Sequence, residues 1–301
     1  MLKIAYHPIY ILPLPDGHRF PMLKYELLPQ QLLNEGSCIA ENFFEPRIPQ
    51  EKDILAVHTQ AYIDDLNKLT LDKREARKIG FPLSETLVKR EGILVQGTIM
   101  ASEFALKHGI AMNIAGGTHH AFSNHGEAFC LFNDQAIGAR YLQNNHLAKK
   151  ILIVDLDVHQ GNGTAEIFKN DSTVFTFSMH GESNYPFQKG KSDLDIAMPN
   201  ETKDEKYLSI LKETLPQLVA EQKPDFIYYL SGVDILESDK LGKLSCTVSG
   251  CKERDRFVLQ TCKDNHIPVM CSMGGGYSLD IKVIIEAHTN TFRLAQEIYF
   301  W

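Results

Sequence analysis

The sequence lacks several things that would place it quickly. Its six cysteines are Cys38, Cys130, Cys246, Cys251, Cys262 and Cys271, and no two are spaced as CxxC. That excludes a zinc knuckle or a small disulfide framework and predicts free thiols in a reducing compartment. Positive charge is not in excess: 31 Lys and Arg stand against 38 Asp and Glu, a net charge of −7. Direct binding to nucleic acid or to an anionic membrane has no electrostatic basis, while a lysine-rich partner would be tolerated. No uncharged apolar run is long enough to span a bilayer. The apolar start, Met1–Phe20, is interrupted by prolines and histidines and has no small-residue cleavage site. It reads as a first strand and a loop, not a signal peptide, and the expected location is cytoplasmic. There is no internal repeat and no low-complexity tract.

What is present is an ordinary globular composition, 44 % hydrophobic and 23 % charged over 301 residues. One domain over residues 1–301 accommodates it. Apolar runs over Ile4–Tyr6, Ile110–Ile114, Lys150–Asp157, Thr173–Ser178, Phe226–Ser231 and Val269–Met273 predict strands. Most are continuously apolar, as in strands covered on both faces. Helical spacing predicts helices over Glu91–His108, Asp204–Gln222, Lys252–Asn265 and Ile281–Ile298, with Gly109 and Pro224 as stops. The alternation predicts an α/β fold, a single domain with a mostly parallel sheet and helices on both faces.

Ligands of such sheets sit beyond the carboxyl ends of the strands. Four predicted strands run there into polar clusters: AGGTHH, DLDVHQGNG, SGVD and GGGY. Strand alternation puts Asp155, Asp157 and His159 on one face, and a carboxylate and an imidazole two residues apart can share one cation. Asp234 follows a very apolar strand, where a bare charge is costly unless paired or metal-bound. Its plainer reading is a helix N-cap. With Asp157 and His159 it makes three protein ligands, which leaves a position for water or substrate. After Gly116 and Gly117, His119 and His120 can both reach one cavity, one to take a proton and the other to give one. Tyr277, after three glycines, offers a neutral donor to an oxyanion. The glycine run is no phosphate loop, because no GK[ST] follows and no GxGxxG is completed. His180 lies near the rim with no assigned role; His7, His18, His58, His108, His125, His146, His266 and His288 read as ordinary core or loop residues.

The segments GGTHH, DLDVHQGNG, SGVDILESDKLGKLS and GGGY together resemble the zinc-dependent histone deacetylases, a family of the arginase–deacetylase fold. The likeness runs from the HRFPM segment to the last helix and is greatest for the class IV branch and its bacterial relatives. It implies that Asp157, His159 and Asp234 hold zinc, with iron an alternative in such a mixed site. It implies His120 as general base, His119 as its cationic or electrostatic partner and Tyr277 as the residue that polarises the carbonyl, with Asp155 and Asn162 behind the histidines. Phe129, Tyr185 and Gly275 would line the channel for an acyl-lysine stem. A structural K+ or Na+ would lie among Asp155, Asp157, His159, Ser178 and Met179, and a second among Phe168, Asp171 and Val174.

The activity implied is removal of an acetyl or longer acyl group from the lysine side-chain amine of a protein or peptide. An acetylpolyamine or other small acyl-amine hydrolase shares the same set, and an inactive acyl-lysine binding module is the reading from another class. An arginase-type two-metal site needs a further carboxylate at position 161, which is Gly161. The oligomeric state is open, a monomer included. Three positions depart from many members: Asn162 stands where some have Asp, Gln160 where some have a second His, and Ala128 where many have Gly at the innermost acyl pocket. A neutral partner at 162 raises the pKa of His120 less than a carboxylate would.

Overall fold

Eight short segments form one sheet in the computed structural model, which describes residues 1–301. They are β1 (Lys3–Ala5), β2 (Phe43–Phe44), β3 (Ile110–Asn113), β4 (Ile151–Asp155), β5 (Val174–Gly181), β6 (Leu194–Met198), β7 (Phe226–Leu230) and β8 (Val269–Ser272). Their order is β2-β1-β3-β8-β7-β4-β5-β6 and every pairing is parallel. Ten helices surround the sheet: α1 (Lys24–Asn34), α2 (Glu51–Leu55), α3 (Gln60–Lys68), α4 (Lys73–Ile79), α5 (Glu85–His108), α6 (Asp134–Asn144), α7 (Asn162–Phe168), α8 (Asp204–Gln222), α9 (Val248–Asp264) and α10 (Ile281–Phe300).

The central strands are buried end to end because both faces are covered. Ile151, Ile153, Phe226 and Tyr228 share one apolar cluster with Ala101 and Ala105 of α5 and Ala136, Ala139 and Leu142 of α6. Their neighbours Leu152, Val154, Ile227 and Tyr229 belong to another, with Leu211 and Leu215 of α8, Val258 of α9 and Phe292 of α10. Each leucine, isoleucine, valine or phenylalanine among them contributes about 1.5–3 kcal/mol when fully buried. The α/β expectation therefore holds, with a wholly parallel sheet.

Several boundaries differ from those expected, each for a physical reason. Strand β4 stops at Asp155, so alternation does not place Asp157 and His159; a bend does. The Asp155 Oδ1 accepts the Asp157 N–H at 3.2 Å, and the Asp157 Oδ1 accepts the His159 N–H at 3.0 Å. Successive aspartates thus capture the chain in turns after the strand. Helix α5 begins at Glu85, not Glu91, because Ser84 Oγ caps the Leu87 N–H at 3.2 Å. The Lys89–Glu91 charges resemble a break, yet Arg90 and Glu91 are a buried ion pair inside the helix. Helix α9 starts at Val248, not Lys252, behind the Thr247 cap. The edge strands β2 and β6 lack a continuous apolar run and were not expected; nor were α1 to α4, α6 and α7.

One buried side chain holds the ends of two strands in place. Arg254 of α9 is fully buried, and its Nη1 donates to Leu156 O at 3.2 Å and Gly232 O at 2.6 Å, its Nη2 to Ser231 O at 3.2 Å. These carbonyls belong to the bends after β4 and β7. Its charge is met by Asp255, which also accepts from Thr291 Oγ1 at 2.6 Å. Arg254→Ala leaves a buried carboxylate without its counter-charge and three carbonyls without their donor. The expected loss is about 3–5 kcal/mol, read as a lower urea midpoint at unchanged slope. An unchanged midpoint contradicts this role.

Candidate functional site

Strands β3, β8, β7 and β4 are consecutive in the sheet, so their carboxyl ends open on one rim. The His119–His120 turn follows β3, the glycine run and Tyr277 follow β8, Asp234 follows β7, and Asp157 and His159 follow β4. The turn before the histidines is fixed by Asp134, whose Oδ1 accepts the Gly117 and Thr118 N–H groups at 3.0 and 2.8 Å. Gly117, at φ +77°, passes so close to Gly274 that a Cβ there would stand 2.9 Å from the Gly274 Cα. These backbone approaches require glycine.

Asp157, His159 and Asp234 are buried and offer three ligand atoms within 4.8 Å of one another. Asp234 caps no helix, since none begins there. Its Oδ1 accepts the Val158 N–H at 2.9 Å, while its Oδ2 has no hydrogen-bond partner and lies 3.2 Å from His159 Nδ1. Asp157 Oδ2 accepts the Gly275 N–H at 2.7 Å, and a Cβ on Gly275 would collide with Asp234 Oδ2. An orphaned carboxylate oxygen beside a ring nitrogen and a second carboxylate fits a divalent cation with mixed nitrogen and oxygen ligands.

The electrostatics agree. Burial raises Asp234 to about 7, and the facing Asp157 charge adds to it. Burial also opposes ionisation of Asp157, but the hydrogen bond from His159 and the His119 and His159 charges hold it well below the usual carboxylate range. Against its own burial, His159 is pushed up to about 10 by Asp157 and Asp234. The pocket demands positive charge, supplied by a proton on the imidazole or by a metal in front of it.

The two adjacent histidines have different partners. His119 Nδ1 meets Asp155 Oδ2 at 2.6 Å, and His120 Nδ1 meets Asn162 Oδ1 at 2.7 Å. Their rings lie 4.1 Å apart. Burial lowers both, but the Asp155 charge and hydrogen bond outweigh it and raise His119. His120 has only an amide behind it; burial and the neighbouring His119 and His159 charges push it well below the usual value. With the Asn162 carbonyl as acceptor, His120 carries its proton on Nδ1 and leaves Nε2 bare.

A cleft of about 590 Å³ leads to these groups and is lined by His119, His120, Asp157, His159, Gly275 and Tyr277. Phe129 and Tyr185 also line it; the Tyr185 ring stands 4.9 Å edge-on to His120, and its hydroxyl donates to Glu127. Asp234 lies directly behind, beside Asp157. Tyr277 is held through its N–H, which Asp239 Oδ2 accepts at 2.5 Å. Burial, then the Asp157 and Asp234 charges, raise its hydroxyl well above the usual value, so it stays a donor.

Other expected residues fall outside the cleft. Ser178 pairs in register with Asp155, beside Met179. Phe168, Asp171 and Val174 are linked by backbone bonds, Asp171 N–H to Phe168 O at 2.9 Å and Val174 N–H to Asp171 O at 3.3 Å. His180 is buried on β5 against Ser178, with burial lowering it to about 4, and does not line the cleft. Gln160 braces the Tyr185 loop through Gly190 and Asp195. Ala128, by contrast, does line the cleft; it is half-buried, at φ +44°, and its N–H donates to Lys78 O at 2.8 Å.

Sequence reasoning missed Lys24, Asp134, Glu127, Asp239 and Arg254. Lys24 is fully buried under the glycine run, its Nζ donating to Gly274 O at 2.9 Å and lying 6.0 Å from the Tyr277 ring centroid. Burial brings it down to about 8, against the pull of Asp234, Asp157 and Asp239. A lone lysine on an amphipathic helix gives no signal of this.

Comparison with known proteins gives the family of the chain. The family model for the histone deacetylase domain matches residues 18–292. An uncharacterized protein of Picosynechococcus sp. is 46 % identical over 296 residues, covering 98 % of this chain and 99 % of its own. Histone deacetylase 2 of Arabidopsis thaliana is 29 % identical over 92 % of this chain and 74 % of its own, and acetoin utilization protein AcuC of Staphylococcus aureus is 27 % identical over 92 % and 77 %. The crystal structure of an HDAC homolog from Aquifex aeolicus superposes with a TM-score of 0.85 at 25 % identity, covering 99 % of this chain and 84 % of that one. The homolog complexed with SAHA gives the same values.

The three-ligand arrangement is tested by metal content. Asp157→Ala and Asp234→Asn should each lower zinc affinity by more than about 100-fold, beyond the loss typical of outer partners. After dialysis, bound zinc should fall well below one per chain, and added zinc should no longer raise Tm. Stoichiometric zinc in either variant contradicts the arrangement.

Proposed function

The chain belongs to the histone deacetylase family, and from that premise we propose that it is a zinc-dependent deacylase that removes an acetyl or longer acyl group from the lysine side-chain amine. The observation that carries this is the unequal pairing of His119 with a carboxylate and of His120 with an amide, beside the buried Asp157, His159 and Asp234. That pairing sets one histidine cationic and the other basic, the division that amide hydrolysis requires.

When bound by Asp157, His159 and Asp234, zinc supplies a Lewis acid for the acyl carbonyl and for water. The Phe129 and Tyr185 rings hold the neutral aliphatic stem. His120 Nε2 takes one proton from the attacking water as its oxygen bonds to the acyl carbon. The Tyr277 hydroxyl donates to the acyl oxygen as negative charge builds there, and the His119 cation adds to that stabilisation. The carbon–nitrogen bond then breaks, and the proton on His120 passes to the departing amine. The second proton of the water, still on the new acid, passes to the freed amine, so the products are a carboxylate anion and an ammonium ion. Among the relatives, a histone deacetylase name and a deacetylase homolog's structure support this reading.

Two outcomes test it on acetyl-lysine peptides. Tyr277→Phe should keep its zinc and lose roughly 10²–10³ in kcat; an unchanged kcat removes the hydroxyl from the mechanism. Asn162→Asp places a carboxylate behind His120 Nδ1, which favours the imidazolium and raises the His120 pKa. The base is then protonated up to a higher pH, so the acid limb of kcat/KM should move upward. An unmoved limb, or one displaced to lower pH, contradicts His120 as the base.

A further inference from the structure

The charge at the mouth of the cleft is opposite to that of the chain. The net charge of the whole protein is −7. Yet two unpaired exposed cations, Arg19 and Lys243, line the opening, with a third, Lys78, held in an ion pair. Only two carboxylates line the cleft, Asp157 and Glu127. Asp157 lies at the buried end among the ligand groups. Glu127 is already engaged: it faces Lys78 Nζ at 3.3 Å and His125 Nε2 at 3.4 Å, and accepts from the Tyr185 hydroxyl at 2.5 Å. Arg19 sits 4.9 Å from the Phe129 ring centroid, and Lys243 Nζ rests on Ser183 O at 3.2 Å, so the cations stand over both walls of the channel. A fourth, Lys189, is folded under the Tyr185 loop on the carbonyls of Asn184 and Pro186.

The acyl-lysine stem is uncharged, so the channel itself is indifferent to these groups. Whatever carries the stem remains outside, against the mouth. We propose that this basic mouth selects acyl-lysines carried on acidic peptide segments and disfavours polycationic carriers, both lysine-rich tails and polyamines. The proposal rests on the deacylase reading and narrows its substrate class. Attraction of this kind acts through solvent at close range and is screened by salt: the Debye length is about 10 Å at 0.1 M and about 3 Å at 1 M. It favours the encounter with the correct carrier and repels the wrong one.

The test uses the zinc-loaded protein and three fluorescent acetyl-lysine peptides of equal length, flanked by aspartates, by glycine and serine, or by lysines. At about 50 mM salt the acidic peptide should bind about ten-fold tighter than the lysine-flanked one, and the gap should close near 1 M. Acetylspermidine should compete weakly. In the double variant Arg19→Glu, Lys243→Glu the order should invert, and Lys243→Gln alone should narrow the gap; ratios within one variant are unaffected by its overall activity. Equal affinities at low salt, tighter binding of the lysine-flanked peptide, or an unaltered order in the double variant overturns the proposal. Turnover of the glycine–serine peptide reports separately on the deacylase reading. Product with no charge order leaves the hydrolase and removes the selective mouth. A charge order with no product from any peptide does the reverse.

Discussion

Two carboxylates buried face to face are the constraint on which the rest of this structure turns. Asp157 and Asp234 cannot both be ionised in a water-poor pocket without a positive charge between them. His159, 3.0 Å from one and 3.2 Å from the other, is the nearest source of it. The scaffold does not relieve the conflict; it maintains it. The Val158 N–H fixes one oxygen of Asp234, the Gly275 N–H fixes one of Asp157, and Arg254 grips carbonyls on both bends from behind. The bare Oδ2 of Asp234 is what that rigidity leaves over. A cation is the remaining way to complete it.

The histidine pair follows from the same crowding. Two imidazoles 4.1 Å apart cannot both be cationic at little cost, so their partners decide which one is. Asp155 settles the matter for His119, and Asn162, being neutral, leaves His120 uncharged, as its proposed role as base requires. Asp155 therefore does two jobs. It also accepts the Asp157 N–H, which ties the protonation of His119 to the bend that carries the ligands.

The parts of this arrangement visible in the sequence are those that interrupt a continuous apolar run. ILIVD and FIYYL can only be strands covered on both faces, so the polar residues just after them are conspicuous. The strand order then brings four such ends side by side, which no single segment reveals. The supports were not legible. Arg254, Lys24 and Asp134 sit on helices among other polar residues, and their burial depends on helices packed from elsewhere in the chain. Glu127 reads as a loop acid until Lys78, far back in the chain, is placed against it. The exact path after β4 was also misjudged, because an aspartate that bends the chain and one that continues a strand look alike in sequence.

The position of Gly161 explains why one cation, and not two, suits this pocket. A two-metal site would need a further carboxylate after His159. A Cβ at Gly161 would collide with Asp155 Oδ2 and stand 3.3 Å from the His119 ring nitrogen. The space that a bridging carboxylate would occupy is thus already used to hold His119 against Asp155. A second ion would also have to displace the positive charge that this pair retains, and Asp157, His159 and Asp234 are the one cluster of three such groups whose ligand atoms converge. Asp155 Oδ2 is thereby committed to the His119 ring nitrogen. The chemistry proposed for this pocket would rely on one Lewis acid and a histidine pair, which suits attack on a neutral amide whose leaving nitrogen must be protonated as it departs.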